Sequence, residues 1–177
     1  MQVQTIFETE RLFLRPANEE DATFYLELMN SPKYIEFIGD RNVRSVSDAI
    51  DYIREKIYPQ YERLGYSAYT VIRKSDGKKI GTCGLYDRIG IEGIDIGFGF
   101  LPQFEKQGYA FEAASKLKEV AFEAFGITTI SGITTKENFA SQKLLERLGL
   151  KQIGTQILPT ETEELLLYSL KRELRSN

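Results

Sequence analysis

The chain has no histidine among its 177 residues and a single cysteine, Cys83. Without histidine there is no Ser-His-Asp or Cys-His catalysis and no imidazole-ligated metal site. One cysteine closes no internal disulfide and builds no thiolate cluster, which fits a reducing compartment. Cys83 lies in the apolar, strand-like run "KKIGTCGLY" and reads as a small buried residue rather than a nucleophile. No apolar run approaches the length of a membrane span, and "MQVQTIFETERL" lacks the pattern of a secretory leader, so a cytoplasmic protein with no membrane contact is expected. The excess of acid over base is small, 26 against 23 residues, and gives no electrostatic reason to expect nucleic acid as a partner.

What is present is the balance of an ordinary globular chain, 42% hydrophobic and 28% charged. With no linker, repeat or low-complexity segment, residues 1–177 are expected to form a single domain. "TIFETERLFLRP" alternates around Ile6, Leu12 and Leu14 and predicts a first strand ending at Pro16. Asn18 caps an acidic first turn ahead of Ala22, Tyr25, Leu28 and Met29. A second helix runs from about Ser47 to Gly65, with Pro59 expected to kink or interrupt it. Strands follow over 66–73, 79–86 and 91–101, the first two joined by the turn "SDGK". A long helix carries Ala113, Leu117, Val120 and Ala121 and closes at Gly126. "ITTISGITT" is a further strand, "ENFASQKLLERLG" a helix, and Lys151–Ile157 and Glu164–Leu170 the last two strands. This order predicts a mixed α/β sheet of about seven strands with helices on both faces, not a strictly alternating dinucleotide fold. No coiled coil or unpaired strand is legible, which leaves a monomer or a homodimer open.

Two candidate phosphate motifs fail. "GFGFLP" has no third glycine opening a helix, and no Gly-Lys-Ser/Thr follows any glycine loop. A better candidate is "FEKQGYAFEAA", where a strand stops at Pro102 and a helix begins near Gly108. The first N–H groups of a helix lack intrahelical partners and carry the positive end of its dipole, so such a junction suits a phosphate. A junction glycine serves close packing equally well. Downstream, Asn138 and Ser141 stand three apart on one face at a helix head, distinct from the Leu144/Leu148 core stripe. Singly they read as a helix cap and a solvated first-turn serine.

In combination these segments resemble the GNAT superfamily of acetyl-CoA-dependent N-acetyltransferases, and more closely its branch of ribosomal-protein N-terminal acetyltransferases. The resemblance rests on "TERLFLRPANEEDA", "IDIGFGFLPQFEKQGYAFEA", "NFASQKLLERLGLKQIG" and the closing "LLLYSLKREL", in that order. It implies a mostly antiparallel twisted sheet and, with no metal, transfer of acetyl from acetyl-CoA to a primary amine on a small molecule or a protein N-terminus. It implies further that Phe98, Phe100 and Leu101 meet the pantetheine arm through their backbone. Lys106, Gln107, Gly108, Tyr109 and Ala110 then form the pyrophosphate loop, Asn138 orients the arm, and Ser141 serves the departing thiolate. Gly97 and Gly99 would permit close approach or a bulge. Glu105 stands where the family usually has Arg or Gln, and is expected to face solvent or to be neutralised by a neighbour such as Lys106. Asp95 is the candidate base, acting through water, or else an outward-facing strand residue; Glu92 is a weaker substitute. The tyrosine many members use as an acid has no counterpart, since Phe139 and Leu145 stand there. A non-catalytic CoA-binding or regulatory module of the same fold is the rival reading.

Overall fold

The computed structural model describes residues 4–173; residues 1–3 and 174–177 of the expected domain lie outside the described residues. The expected first strand is a hairpin, β1 (Phe7–Glu8) and β2 (Leu12–Pro16), turning at Thr9–Arg11. This split raises the count from about seven strands to eight. Leu12 and Leu14 are fully buried while Phe13 between them is exposed, the alternation of a strand covered on one face.

Four helical segments follow where two were expected: α1 (Ala22–Met29), α2 (Pro32–Phe37), α3 (Val46–Tyr52) and α4 (Tyr58–Leu64). The interruption expected at Pro59 is present. Pro59 sits in the first turn of α4, and a wide π turn over Ile53–Ile57 absorbs the hydrogen bond it cannot donate. Asn18 forms a capping box with Asp21 ahead of α1. The Asp21 carboxylate is fully buried and ties that helix to three strands through Arg15 (2.6 Å), Thr70 (2.7 Å) and Lys79 (2.7 Å). Burial alone would raise its pKa; these partners and the Asn18 N–H outweigh that and hold it below the usual range.

The remaining strands are β3 (Ala68–Arg73), β4 (Lys79–Tyr86), β5 (Ile94–Phe100), β6 (Thr129–Thr134), β7 (Lys151–Ile157) and β8 (Glu164–Lys171), with α5 (Tyr109–Glu123) and α6 (Phe139–Arg147) between them. They form one sheet in the order β1-β2-β3-β4-β5-β6-β8-β7. Every neighbouring pair is antiparallel except β5 and β6, which run parallel. The sheet ends at β7, an exposed edge strand that the sequence pattern did not reveal. Among the described residues no helix is long and apolar enough to cross a membrane.

α5 buries Ala113, Ala114, Leu117 and Ala121, small and branched side chains at helical spacing that let it lie close on β4 and β5. α6 is anchored on β6 by Leu145, 1% exposed, whose side chain fills the space that a Cβ on Gly132 would need. Leu145→Ala is therefore expected to cost about 3 kcal/mol, read as a fall of roughly 10 °C in Tm by calorimetry.

Candidate active site

β5 and β6 pair at only two positions, Ile94↔Ile130 and Asp95↔Ser131, and then part. On its other side β5 stays paired with β4 as far as Phe100. The Leu101 N–H donates to the Ile80 carbonyl (3.0 Å), and antiparallel alternation then turns the peptides of Gly97 and Gly99 toward β4 as well. Beyond the Asp95↔Ser131 pair, which the Ile96 N–H closes, the peptide groups of Phe98 and Phe100 face the gap. Of the three residues expected to meet a pantetheine arm, Phe98 and Phe100 thus offer free backbone. Leu101 does not, because its N–H is taken by Ile80 and its carbonyl by the Phe104 N–H.

α5 and α6 both begin at the carboxyl ends of this parted pair, where open α/β sheets place ligands. Ahead of α5, the N–H groups of Lys106, Gln107, Gly108, Tyr109, Ala110 and Phe111 have no acceptor within the described residues. Two residues of the loop adopt left-handed backbone, Lys106 (φ 58°) and Gly108 (φ 81°). This alternation turns successive donors to one side and makes an anion cradle. Gly108 earns its place through this turn and through a neighbour: a Cβ there would lie 3.3 Å from Arg11. Arg11 holds the cradle from outside, donating to the Gln107 carbonyl (3.0 Å) and to Glu112 (2.8 Å) and lying over the Tyr109 ring at 4.3 Å. Thr9 also donates to Glu112 (2.6 Å). Thr9, Arg11 and Glu112 received no role from the sequence. The first two open the "TERL" segment and the third lies inside the loop–helix segment, and only the hairpin turn brings them together.

Glu105 is neutralised, but not by Lys106. Its partner is Lys33 of α2, 72 residues away in sequence, with Nζ 2.5 Å from Oε2. Pro32, Lys33, Pro102, Glu105 and Lys106 together line a cavity of about 440 Å³ beside the cradle.

At the head of α6, Asn138 accepts the Ser141 N–H (3.2 Å) and so caps the helix. The Ser141 side chain is half-buried and its hydroxyl has no partner among the described residues. Thr134 and Thr135, at the end of β6, bury hydroxyls that also lack a partner.

Asp95 stands where the two strands part. It is not an outward-facing strand residue, being 2% exposed and paired with Arg88. Burial pushes its carboxyl up to about 6, although Arg88 and the nearby Ile133 N–H pull the other way; Oδ1 has no hydrogen-bond partner. Glu92, by contrast, projects into solvent. Gly97 and Gly99 make room for rings of the chain itself: a Cβ on Gly97 would lie 2.9 Å from the Tyr86 ring, and one on Gly99 3.4 Å from Tyr34. Phe139 is 67% exposed, and Leu145 belongs to the core.

A parted parallel strand pair with a donor cradle at its carboxyl ends is a site able to pair an extended, amide-bearing ligand and seat an anion. The family model for the acetyltransferase (GNAT) domain matches residues 11–151, and the chain belongs to that family. It is similar to YoaA of Bacillus subtilis, described as an uncharacterized N-acetyltransferase, with 27% identity over 84% of each chain. Among solved structures, the ribosomal-protein-S5-alanine acetyltransferase of Vibrio fischeri superposes with a TM-score of 0.72 at 17% identity, covering 94% of this chain and 96% of that one. The microcin C7 self-immunity acetyltransferase MccE, solved with acetyl-CoA and AMP, gives 0.76 at 18% identity, covering 93% and 94%.

The Lys33–Glu105 pair predicts an asymmetric response in calorimetric titration with CoA. Lys33→Met leaves a bare carboxylate at the cradle mouth and is expected to weaken binding about tenfold. Glu105→Gln is expected to change it less than about threefold, and the double variant to return close to the parent.

Proposed function

We propose that this acetyltransferase moves an acetyl group from acetyl-CoA to a primary amine by direct attack, with both substrates bound together. The observation that carries the reading is the unpaired edge of β5 opening onto the cradle of N–H groups ahead of α5. The pantetheine arm of CoA has amides that match that edge as a further strand would, and its diphosphate matches the cradle. Bound there, acetyl-CoA supplies an activated acyl carbon and a thiolate leaving group.

The chain supplies the rest. The peptides of Phe98 and Phe100 hold the arm, and one free N–H of this edge polarises the acyl oxygen. The backbone of Lys106 to Ala110 holds the phosphates, so the acid at position 105 is tolerated. Asn138 keeps the head of α6 in place, and Ser141 donates its unpartnered hydroxyl to the departing sulfur. Asp95 takes the proton the amine must lose, through a water at Oδ1. The acceptor lies on the face of β4 and β5 carrying Asp95, Gly97 and Gly99, under α1, α2 and α3. It is an amine-bearing small molecule or a protein N-terminus.

Ser141→Ala is expected to lower turnover well over about tenfold, measured as CoA release, with little change in acetyl-CoA affinity; unchanged turnover removes Ser141 from the mechanism. Asp95 near 6 is ionised and able to accept a proton above that pH and protonated below it. kcat/KM should therefore fall on the acid side of about 6, and Asp95→Asn should lose both that limb and roughly a hundredfold in rate. A persisting acid limb in the variant rules out Asp95 as the base.

A further inference from the structure

We infer that the acceptor carries an anionic oxygen group, a carboxylate or a phosphate, beside its amine, and that Arg41 binds that group; the inference rests on the acetyltransferase reading above. Buried polar atoms without partners are rare in folded chains and mark places where something else completes the hydrogen bonding. Three of them, Tyr25 Oη, Arg41 Nε and Asp95 Oδ1, belong to the acceptor face. Tyr25 lies 6.5 Å from Tyr52, ring to ring, and Tyr34 covers Gly99. The Arg41 guanidinium stands beside the Tyr34 hydroxyl, and Arg88 lies over the Tyr86 ring at 5.3 Å.

The chemistry of this face is lopsided. Burial holds the Tyr34 hydroxyl up to about 12 and those of Tyr25 and Tyr86 well above their ordinary value, so all three keep their protons and can donate. Two buried acids lie on this side of the sheet and both are engaged, Asp95 by Arg88 and Asp21 by Arg15 and Lys79. Arg41 differs from Arg15, Arg44, Arg54, Arg63 and Arg88, each of which has a carboxylate partner; among the described residues Arg41 has none. It lines a cavity of about 300 Å³ together with Val43 and Tyr52. Asp51 and Glu55 border the same cavity but are exposed, and Asp48 there accepts the Arg44 N–H. A purely cationic acceptor would leave the half-buried Arg41 unpaired and repel it. A guanidinium fork matches the paired oxygens of a carboxylate or a phosphate. An acceptor with an anion at one end and an amine at the other satisfies Arg41 and the hydroxyls with the first and presents the second to Asp95.

An acceptor screen decides the matter by pairing molecules that differ in the anion: each α-amino acid against its α-amide, and O-phosphoethanolamine against ethanolamine, with CoA release followed. The expected result is at least about a thirtyfold higher kcat/KM for the anion-bearing member of one series, which also tells carboxylate from phosphate. Arg41→Met should collapse that ratio below about threefold by raising KM for the anionic member, while Arg44→Met next along the chain preserves it. Preference for the neutral members or for peptide N-termini overturns the inference, as does an Arg41→Met variant that keeps the ratio. If no amine releases CoA, the acetyltransferase reading fails while the anion site is still decided. The chain has ten tyrosines and no tryptophan, so titration with the same amino acids and O-phosphoethanolamine can be read from tyrosine difference absorbance. A response lost in Arg41→Met supports the anion site, and no response overturns it.

Discussion

The parting of β5 from β6 after Asp95 and Ser131 is the constraint on which the site depends. A sheet normally satisfies its backbone by pairing, and an unpaired buried peptide group costs about 1–3 kcal/mol. Here the peptides of Phe98 and Phe100 forgo that pairing on one side. The gap is maintained from outside: β4 holds β5 from Asp95 to Phe100, while β8 holds β6 from Thr129 to Thr134. Each strand is fixed by its outer neighbour, so the wedge between them persists without a filler. The helices after β5 and β6 must then start on either side of its mouth, which brings the free N–H donors at the start of α5 and the Ser141 hydroxyl to one opening.

Charge is managed locally on this mildly acidic chain. The carboxylates that matter each have a cation brought up by the fold: Arg15 and Lys79 for Asp21, Arg88 for Asp95, Lys33 for Glu105 and Arg11 for Glu112. The Glu105 pair connects more than charge. Lys33 and Tyr34 are adjacent on the six-residue α2, one reaching the phosphate cradle and the other lying on Gly99. A short helix with no buried residue of its own is thereby pinned between the N–H cradle and the glycines of β5. Arg41, just beyond it, is left without such a partner.

Pattern alone carried much of the architecture because periodicity is a local property. α5 and α6 appear as helical spacing, β4 as an apolar, strand-like run, and the junction at Gly108 as a strand stop followed by a helix start. The errors were also local in origin. The hairpin at Thr9–Arg11 has no Gly or Pro to announce a turn, so two strands read as one. The π turn over Ile53–Ile57 preserves apolar spacing, so α3 and α4 read as one helix interrupted at Pro59 and the wide turn itself went unseen. Leu101 was grouped with Phe98 and Phe100 because parity along a strand depends on the register with its neighbour.

The sequence by itself determined the class: a mixed sheet, a loop able to seat a diphosphate, and Asn138 and Ser141 at a helix head. Those follow from residue types at fixed spacing, and spacing survives without a third dimension. Only the tertiary structure decided which groups face one another. It assigned Lys33 rather than Lys106 to Glu105, set Arg11 behind Gly108, and buried Asp95 against Arg88 where the strands part. It also gathered tyrosines from α1, α2, α3 and β4 over two glycines of β5. Apart from Arg88 and Asp95, seven residues apart, these pairings span tens of residues, and the proximity that sets their charges and hydrogen bonds comes from packing, which a linear pattern does not contain.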